Sequence, residues 1–344
     1  MVKLGLGQPY SKVIIPNKVR GIADLTKPAS SLGAGGMFFF GSLFFFVYTD
    51  QQAAIVESLP VIFWATLAVV FSHGASQSMN MAEDAEIDSN TEHKQDRPIP
   101  SGVVSEEEAR SVSWILIGSS ITAAYMTKLT FGVFITVLCF FGVFYNLDPI
   151  RAKERIISIP WQAVSRGLLP FPAIWAAYGD PLSMTPWVLG IFMFWYVMGF
   201  QNSADIIDKD VDAEYGIRTF VVVYGVDGTL RIATGCTVLM ILTILAGVGW
   251  GLLPFSLLSM LGIIPFCVAM LFYITEYPGS VSGATGNHPA WLWYYIGLVL
   301  SVIIPLATEA IYYSGGLNFW NTLLVVCQHG LLLPTGIVTK RNKE

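Results

Sequence analysis

Charge is scarce in this chain. Of its 344 residues only 12% are Asp, Glu, Lys or Arg, against 54% hydrophobic ones, whereas a soluble domain of this size carries about twice that charged fraction. The scarcity excludes an ordinary water-soluble globule, and the mean hydropathy of +0.60 agrees. Cysteine is sparse as well. Cys139, Cys236, Cys267 and Cys327 stand singly inside apolar runs, which excludes a zinc site or a disulfide framework built on their spacing. The net charge of −5 is uninformative alone, and no nucleic-acid partner is expected. Low-complexity segments and soluble-domain stretches are missing. Met1 to Lys27 is polar and basic and lacks the apolar core and cleavage site of a secretory leader, so the first hydrophobic run is expected to direct insertion.

Long apolar runs are abundant. A helix needs about 20 apolar residues to cross the hydrocarbon core, and the runs predict spans at Ser31–Tyr48, Leu59–Met79, Val112–Met126, Thr130–Tyr145, Ile159–Tyr178, Trp187–Ile207, Leu230–Trp250, Phe255–Thr275 and Ala290–Tyr313. The expected fold is all-α, a polytopic membrane bundle of about nine transmembrane helices. Leu317 to Val338 is long enough for a tenth, although it contains His329 and Pro334. Lys and Arg mark cytoplasmic loops, and here they crowd into the N-terminal segment, the Glu83–Arg110, Arg151–Arg155 and Lys209–Arg231 loops and the Lys340–Lys343 tail. A basic tail on the cytoplasmic side favours ten spans, or a re-entrant segment. Residues 1–30 form a cytoplasmic N-terminal segment, 31–313 the transmembrane domain and 314–344 a C-terminal extension. Ser105 and Glu108 have capping-box spacing and are expected to start the helix leading into the third span.

The carboxylates are unevenly spread. The second span runs into His73, Gln77, Asn80, Asp84 and Asp88, and steps of four keep these on one helix face in the pattern NxxxDxxxD. The sixth runs into Gln201, Asp205, Asp208 and Asp212, the pattern DxxDxxxD. Two such segments, four spans apart and each followed by a long polar loop, suggest an internal duplication. Acids near a membrane core survive mainly beside a polar cavity or a counter-ion. Oxygen ligands without clustered His or Cys suit Mg2+, which binds through a few carboxylates, water and substrate phosphates. The plain alternative is that the acids are solvated helix ends; for Glu83, Glu86 and Asp210, which lie off the stripes, solvation is the expectation.

Basic residues lie on the same side. Asp96-Arg97-Pro98-Ile99-Pro100-Ser101-Gly102 is a stiff segment whose arginine can pair bidentately with phosphate, and Tyr145 through Lys153 adds a hydroxyl, Arg151 and Lys153. Lys209 and Arg218 flank the second stripe. Arg166 lies inside the fifth span, about 12 Å along the helix from Ser158, so it is expected to face substrate, to pair with Glu309 or to snorkel toward the interface. His73 is a candidate substrate contact or base, with a structural role as the plain reading. The aromatic run Met37 to Phe46, with Phe194, Trp195, Tyr196 and Phe200, can line a prenyl tunnel or simply pack.

These signatures together resemble the UbiA superfamily of intramembrane prenyltransferases: Asn80-x3-Asp84-x3-Asp88, Asp96 through Gly102, Tyr145 through Lys153, and Asp205-x2-Asp208-x3-Asp212 followed by Tyr215-Gly216-Ile217-Arg218-Thr219. With the predicted spans, the resemblance covers roughly Asp24 to Tyr313. It implies a helical bundle with a central cavity, and Mg2+-dependent transfer of a prenyl group from a prenyl diphosphate to a lipophilic acceptor. It further implies that Asn80, Asp84, Asp88, Asp205, Asp208 and Asp212 bind two Mg2+ ions and the diphosphate. Arg97, Tyr145, Arg151, Lys153 and Lys209 would assist on the phosphate side. Asp148 stands where many members have proline. The rival expectations are a terpene cyclase of the same superfamily and a cation or lipid-phosphate transporter.

Overall fold

The computed structural model describes residues 17–91, 94–280 and 288–313. The possible tenth span Leu317–Val338, the basic tail and the first part of the N-terminal segment fall outside these. Among the described residues every regular element is helical. Six helical stretches are long and apolar enough to cross a bilayer: Pro28–Tyr48, Gln52–Glu83, Leu129–Asn146, Phe220–Gly249, Phe255–Glu276 and Pro289–Glu309. The protein is therefore an integral membrane protein. Its helices divide into two compact units, one holding the chain up to Phe39 together with Leu59–Lys153, the other Phe40–Ser58 and the chain from Glu154 onward. Each unit carries one of the two acidic segments.

The first unit contains α1 (Asn17–Leu25), the first half of α2 (Pro28–Tyr48), most of α3 (Ile55–Glu83), α4 (Ala85–Asn90), α5 (Glu106–Thr127) and α6 (Leu129–Asn146). Antiparallel α3 and α5 approach closely because their shared face is small. Ala68, Ala75 and Ala109 are fully buried there, and buried serine hydroxyls cross the interface: Ser113 donates to the Ala75 carbonyl at 2.8 Å, Ser120 to Ala68 at 2.7 Å, and Ser78 returns one to Ala109 at 2.8 Å. Such bonds contribute about 0.6 kcal/mol each within a bilayer. Residues 68 and 75 lie opposite 120 and 113, so the seven-residue spacing matches on both helices and sets their register. Leu25 at the end of α1 packs with Met81, Ala82, Val104 and Ala109, tying the chain before the first span to the ends of α3 and α5.

The helix start expected at Ser105 is present. The Ser105 side chain accepts from the Glu108 amide and the Glu108 carboxylate accepts from the Ser105 amide at 2.8 Å, a complete capping box. Glu108 also receives the Lys18 ammonium at 2.5 Å. That bond, then the Ser105 amide, lowers the Glu108 carboxyl to about 2. A carboxyl lowered in the folded state stabilises it fully above the unfolded value, and this contribution is lost as pH falls. Lys18, the cap and Glu108 should thus support the fold above about pH 4.5 and progressively cease to between there and about pH 2. Thermal unfolding of Glu108→Gln across pH 2–5 is expected to be flatter than that of the parent, and identical slopes would refute the assignment.

The second unit contains a broken fifth span, α7 (Ser158–Gln162), a π-helical turn over Ala163–Leu168 and α8 (Pro170–Tyr178). An α-turn would drive the Pro170 ring against the Arg166 carbonyl, and the wider turn, in which the Leu169 amide donates to the Val164 carbonyl at 3.0 Å, removes that clash. This turn lies hard against α9 (Met184–Phe200): a Cβ on Gly167 would come within 2.7 Å of the Met193 carbonyl oxygen. The predicted sixth span is shorter than expected. Its α-helix ends at Phe200 rather than Ile207, passing into a 3-10 turn at Gln201–Ala204 and then α10 (Lys209–Glu214). After α10 come α11 (Phe220–Gly249), which bends at Gly225 where φ is +68°, a 3-10 stretch Phe255–Ile263 leading into α12 (Ile264–Glu276), and α13 (Pro289–Tyr313).

Candidate active site

In the first unit the expected stripe is nearly, not fully, one helix. The turn at Asp84 separates α3 from α4, yet the Asp84 amide still bonds the Asn80 carbonyl at 3.0 Å and the Asp88 amide the Asp84 carbonyl at 2.8 Å. Helical spacing therefore survives the break, and the three side chains stay aligned. The Asn80 amide nitrogen donates to Asp84 Oδ2 at 2.9 Å and to Asn146 Oδ1 at 3.2 Å. Lys153 Nζ lies 2.5 Å from Asp84 Oδ1, and Arg97 Nη1 lies 2.5 Å from Asp88 Oδ2. Asp88 is 2% exposed and the Lys153 side chain 7%. One member of each pair is thus withdrawn from water, and charges interact more strongly away from water than in it.

Arg151 also belongs to this cluster. Its φ of +41° is a costly conformation for a residue with a Cβ, and its guanidinium lies 3.6 Å from Glu83 Oε2. Glu83, expected to be merely solvated, is instead a junction: it also receives Arg110 Nε at 2.8 Å, and this bond raises the Arg110 guanidinium above its ordinary value. Glu86 and Asp210 are exposed, as expected. Tyr145 stands in the last turn of α6 beside the buried Asn146. His73 lies two turns before Asn80, its Nε2 2.9 Å from Ser30 Oγ and 3.2 Å from Gln77 Nε2.

In the second unit the acids do not share one continuous helical face. Asp205 follows the 3-10 turn, Asp208 stands just before the first residue of α10, and Asp212 lies inside α10 with its amide bonded to the Asp208 carbonyl at 2.8 Å. All three are half-buried, as is Lys209. Just before them, two buried amide oxygens have no hydrogen-bond partner among the described residues: Gln201 Oε1 and Asn202 Oδ1. Asn202 is 1% exposed, and its nitrogen donates to the Met198 carbonyl at 3.2 Å. Because that carbonyl can only accept, the amide orientation is settled and the oxygen is the unpaired end. An unpaired buried acceptor costs about 1–3 kcal/mol, a cost that a cation or a donor placed there would offset.

Arg166 is not paired with Glu309, contrary to one expectation. It stands in the π turn within electrostatic reach of Tyr294. Glu309 lies fifteen residues beyond Tyr294 on α13, about 22 Å along a helix, and accepts from the Ser256 hydroxyl.

The donors suit a hard cation. Every candidate ligand is a carboxylate or amide oxygen, and among the described residues no group of three or more His, Cys, Asp and Glu side chains is placed to hold a metal. An ion bound here would therefore rely on water and substrate phosphate besides protein oxygens, as Mg2+ does. Asn146 and Asn202 were missed from the sequence. Asn146 lies inside the Tyr145–Lys153 motif and Asn202 three residues before Asp205, but asparagine at a helix end is too common a signal to single out.

The helical membrane fold and the two acidic segments, the first with Lys153 and Arg97 at its carboxylates, define a polytopic membrane protein. Residues 37–283 match the UbiA prenyltransferase family, and the chain belongs to that family. It is 33% identical over 172 residues to a protoheme IX farnesyltransferase from Ruegeria sp. (strain TM1040), covering 49% of this chain and 54% of the relative. It is 26% identical over 184 residues to a 4-hydroxybenzoate octaprenyltransferase from Aliivibrio salmonicida, covering 53% and 62%. The chain thus spans about half the length of the curated relatives it matches. In fold it resembles a solved UbiA homologue from Archaeoglobus fulgidus bound to GPP and Mg2+, with a TM-score of 0.65 at 15% identity over 85% of this chain and 100% of that one.

Proposed function

We propose that the protein is a Mg2+-dependent prenyltransferase that takes a prenyl diphosphate and transfers its allylic group to a lipophilic acceptor at the cytoplasmic face of the membrane. The observation that carries this reading is the pairing of Asp84 with Lys153 and of Asp88 with Arg97. Two carboxylates matched by two cations are the complement of a metal–diphosphate pair: the carboxylates would turn to the metal and the cations to phosphate oxygens. Family membership and the GPP and Mg2+ bound by the Archaeoglobus fulgidus homologue support it.

Asn80, Asp84 and Asp88 in one segment and Asp205, Asp208 and Asp212 in the other are the ligands we assign to two Mg2+ ions. Gln201 and Asn202 offer further oxygens. Bound Mg2+ supplies Lewis-acid stabilisation of the departing diphosphate. Lys153, Arg97, Arg151 and Lys209 hold the phosphate oxygens, with the Tyr145 hydroxyl beside them. Asn146, bonded to Asn80 and to the Gly142 carbonyl at 2.9 Å, fixes the amide that must present its oxygen. Gln77 lies about 4.5 Å and His73 about 10 Å along the helix from Asn80 toward the membrane interior, where the allylic carbon and acceptor would meet.

The test is Mg2+-dependent diphosphate release by the purified protein from geranylgeranyl diphosphate, with product analysis by mass spectrometry in the presence and absence of acceptor. Release that requires acceptor supports transfer, and release with a cyclised hydrocarbon in its absence would replace transfer by cyclisation. No release with any prenyl diphosphate would overturn the reading.

A further inference from the structure

Glu309 closes the apolar span Pro289–Glu309, one turn before α13 ends at Tyr313. It is 0% exposed and forms no ion pair among the described residues. Its Oε1 accepts from the Ser256 hydroxyl, whereas its Oε2 is buried without a hydrogen-bond partner among the described residues. An ionisable group buried in a span is expensive unless a counter-ion meets it. A second buried oxygen on the neighbouring element, the Ser259 hydroxyl, is likewise unpartnered there. Neither group belongs to the acidic segment of this unit. Tyr48, which bonds Thr185, lies within electrostatic reach of Glu309, and Thr185 stands fifteen residues of α9 before Phe200, about 22 Å along the helix.

The backbone around these oxygens is irregular on both sides. A 3-10 helix sets residues three apart over one another, so Ser256, Ser259 and Gly262 share one face of the stretch Phe255–Ile263. Both ends of that face meet α13: Ser256 bonds Glu309, and a Cβ on Gly262 would lie 3.3 Å from Ile304 Cδ1. Ser259 therefore faces the turn of α13 between them, which contains Pro305. Proline has no amide hydrogen, so the Ser301 carbonyl, in steps of four on the face of Pro305 and Glu309, lacks its helical donor. A 3-10 stretch of nine residues is also long, since runs beyond three or four are uncommon. Backbone of this kind persists at membrane depth where it is buried in protein or lines a polar cavity, and its carbonyls are suited to coordinate monovalent ions.

We infer that Glu309, together with the Ser256 and Ser259 hydroxyls, is a binding site for one alkali-metal cation, separate from the proposed Mg2+ ligands. The donors are oxygens alone, which suit a hard cation. Charge selects among hard cations: one carboxylate is neutralised by one monovalent ion, whereas a divalent ion would leave a net positive charge buried in the span. The Ser301 carbonyl offers a further oxygen on the same face of α13. The ion joins α13 to the 3-10 stretch that leads into α12, so its effect is on the stability of that pair of spans. The inference does not depend on the prenyltransferase reading.

The experiment follows thermal unfolding of the purified whole chain in one detergent at about pH 8, above the ordinary range of a carboxyl. EDTA keeps divalent ions from the acidic segments, and NaCl, KCl or LiCl replaces choline chloride at constant ionic strength. The expected result is saturable stabilisation by at least one alkali cation over choline. Ser259→Ala should raise the half-saturating concentration at least about tenfold, as the loss of one bond to a charged group implies, and Glu309→Gln should abolish the response. Asp84→Asn and Asp208→Asn should keep it, which places the ion away from the proposed Mg2+ ligands. If Glu309→Gln does not fold, Ser259→Ala carries the test. Equal stability of the parent in all four salts would overturn the inference and leave Glu309 as a buried neutral acid. A response undiminished in Ser259→Ala or in folded Glu309→Gln, or one lost in Asp84→Asn, overturns it as well. No prenyl diphosphate is present in these measurements, so their failure leaves the prenyltransferase reading to its own test.

Discussion

Asp84→Asn and Asp208→Asn are each expected to lower Mg2+-dependent turnover at least about 10²–10³-fold, the scale on which preorganised electrostatic groups act in a water-poor site. Both substitutions keep side-chain volume and remove one charge. The apolar tail of the proposed donor should still bind, because its contacts would lie along the spans rather than at the helix ends. The loss should therefore appear in the chemical step more than in affinity for the tail. Single-turnover diphosphate release, measured beside the affinity for a prenyl alcohol, separates the two. Asp84→Asn also leaves the Lys153 ammonium, 7% exposed, without its carboxylate, so thermal stability must be recorded with the rate. Full Mg2+-dependent activity in a well-folded Asp84 or Asp208 variant would end the assignment.

The second large effect is on stability. Arg97→Leu is expected to destabilise the protein by about 3–5 kcal/mol, because it strands a buried carboxylate and does not merely delete a contact. The pair is asymmetric: Asp88 is 2% exposed, while Arg97 is 28% exposed. Removing the arginine thus leaves the costlier member behind. The double variant Asp88→Asn, Arg97→Leu should recover most of the loss, since a neutral amide in that place needs only hydrogen bonds. Thermal unfolding in one detergent of the parent, Arg97→Leu, Asp88→Asn and the double variant makes this a cycle that isolates the coupling. If Arg97→Leu unfolds with the parent, the ion pair contributes nothing to the fold.

The membrane class and the two acidic segments could be read from the chain because both are local patterns. Apolar run length reports a span without any knowledge of neighbours, and helical spacing aligns Asn80, Asp84 and Asp88 wherever α3 packs. The capping box at Ser105 and Glu108 is local in the same sense. The expected continuous stripe over Asp205 to Asp212 was not met, because nothing within that stretch signals that the helix would end at Phe200. The fifth span, likewise expected as one run over Ile159–Tyr178, is interrupted by a π turn at Ala163–Leu168.

What the chain's own pattern of residues settles, then, is the solvent it was made for, the family it joins and which side chains can carry charge to the membrane face. Packing settled how those charges are spent. Lys153 reaches Asp84 across 69 positions, Glu83 gathers two arginines instead of facing water, and Arg166 is parted from Glu309 by the length of α13. Each outcome depends on which helix lies beside which, a property of pairs of distant segments that no single stretch of sequence contains.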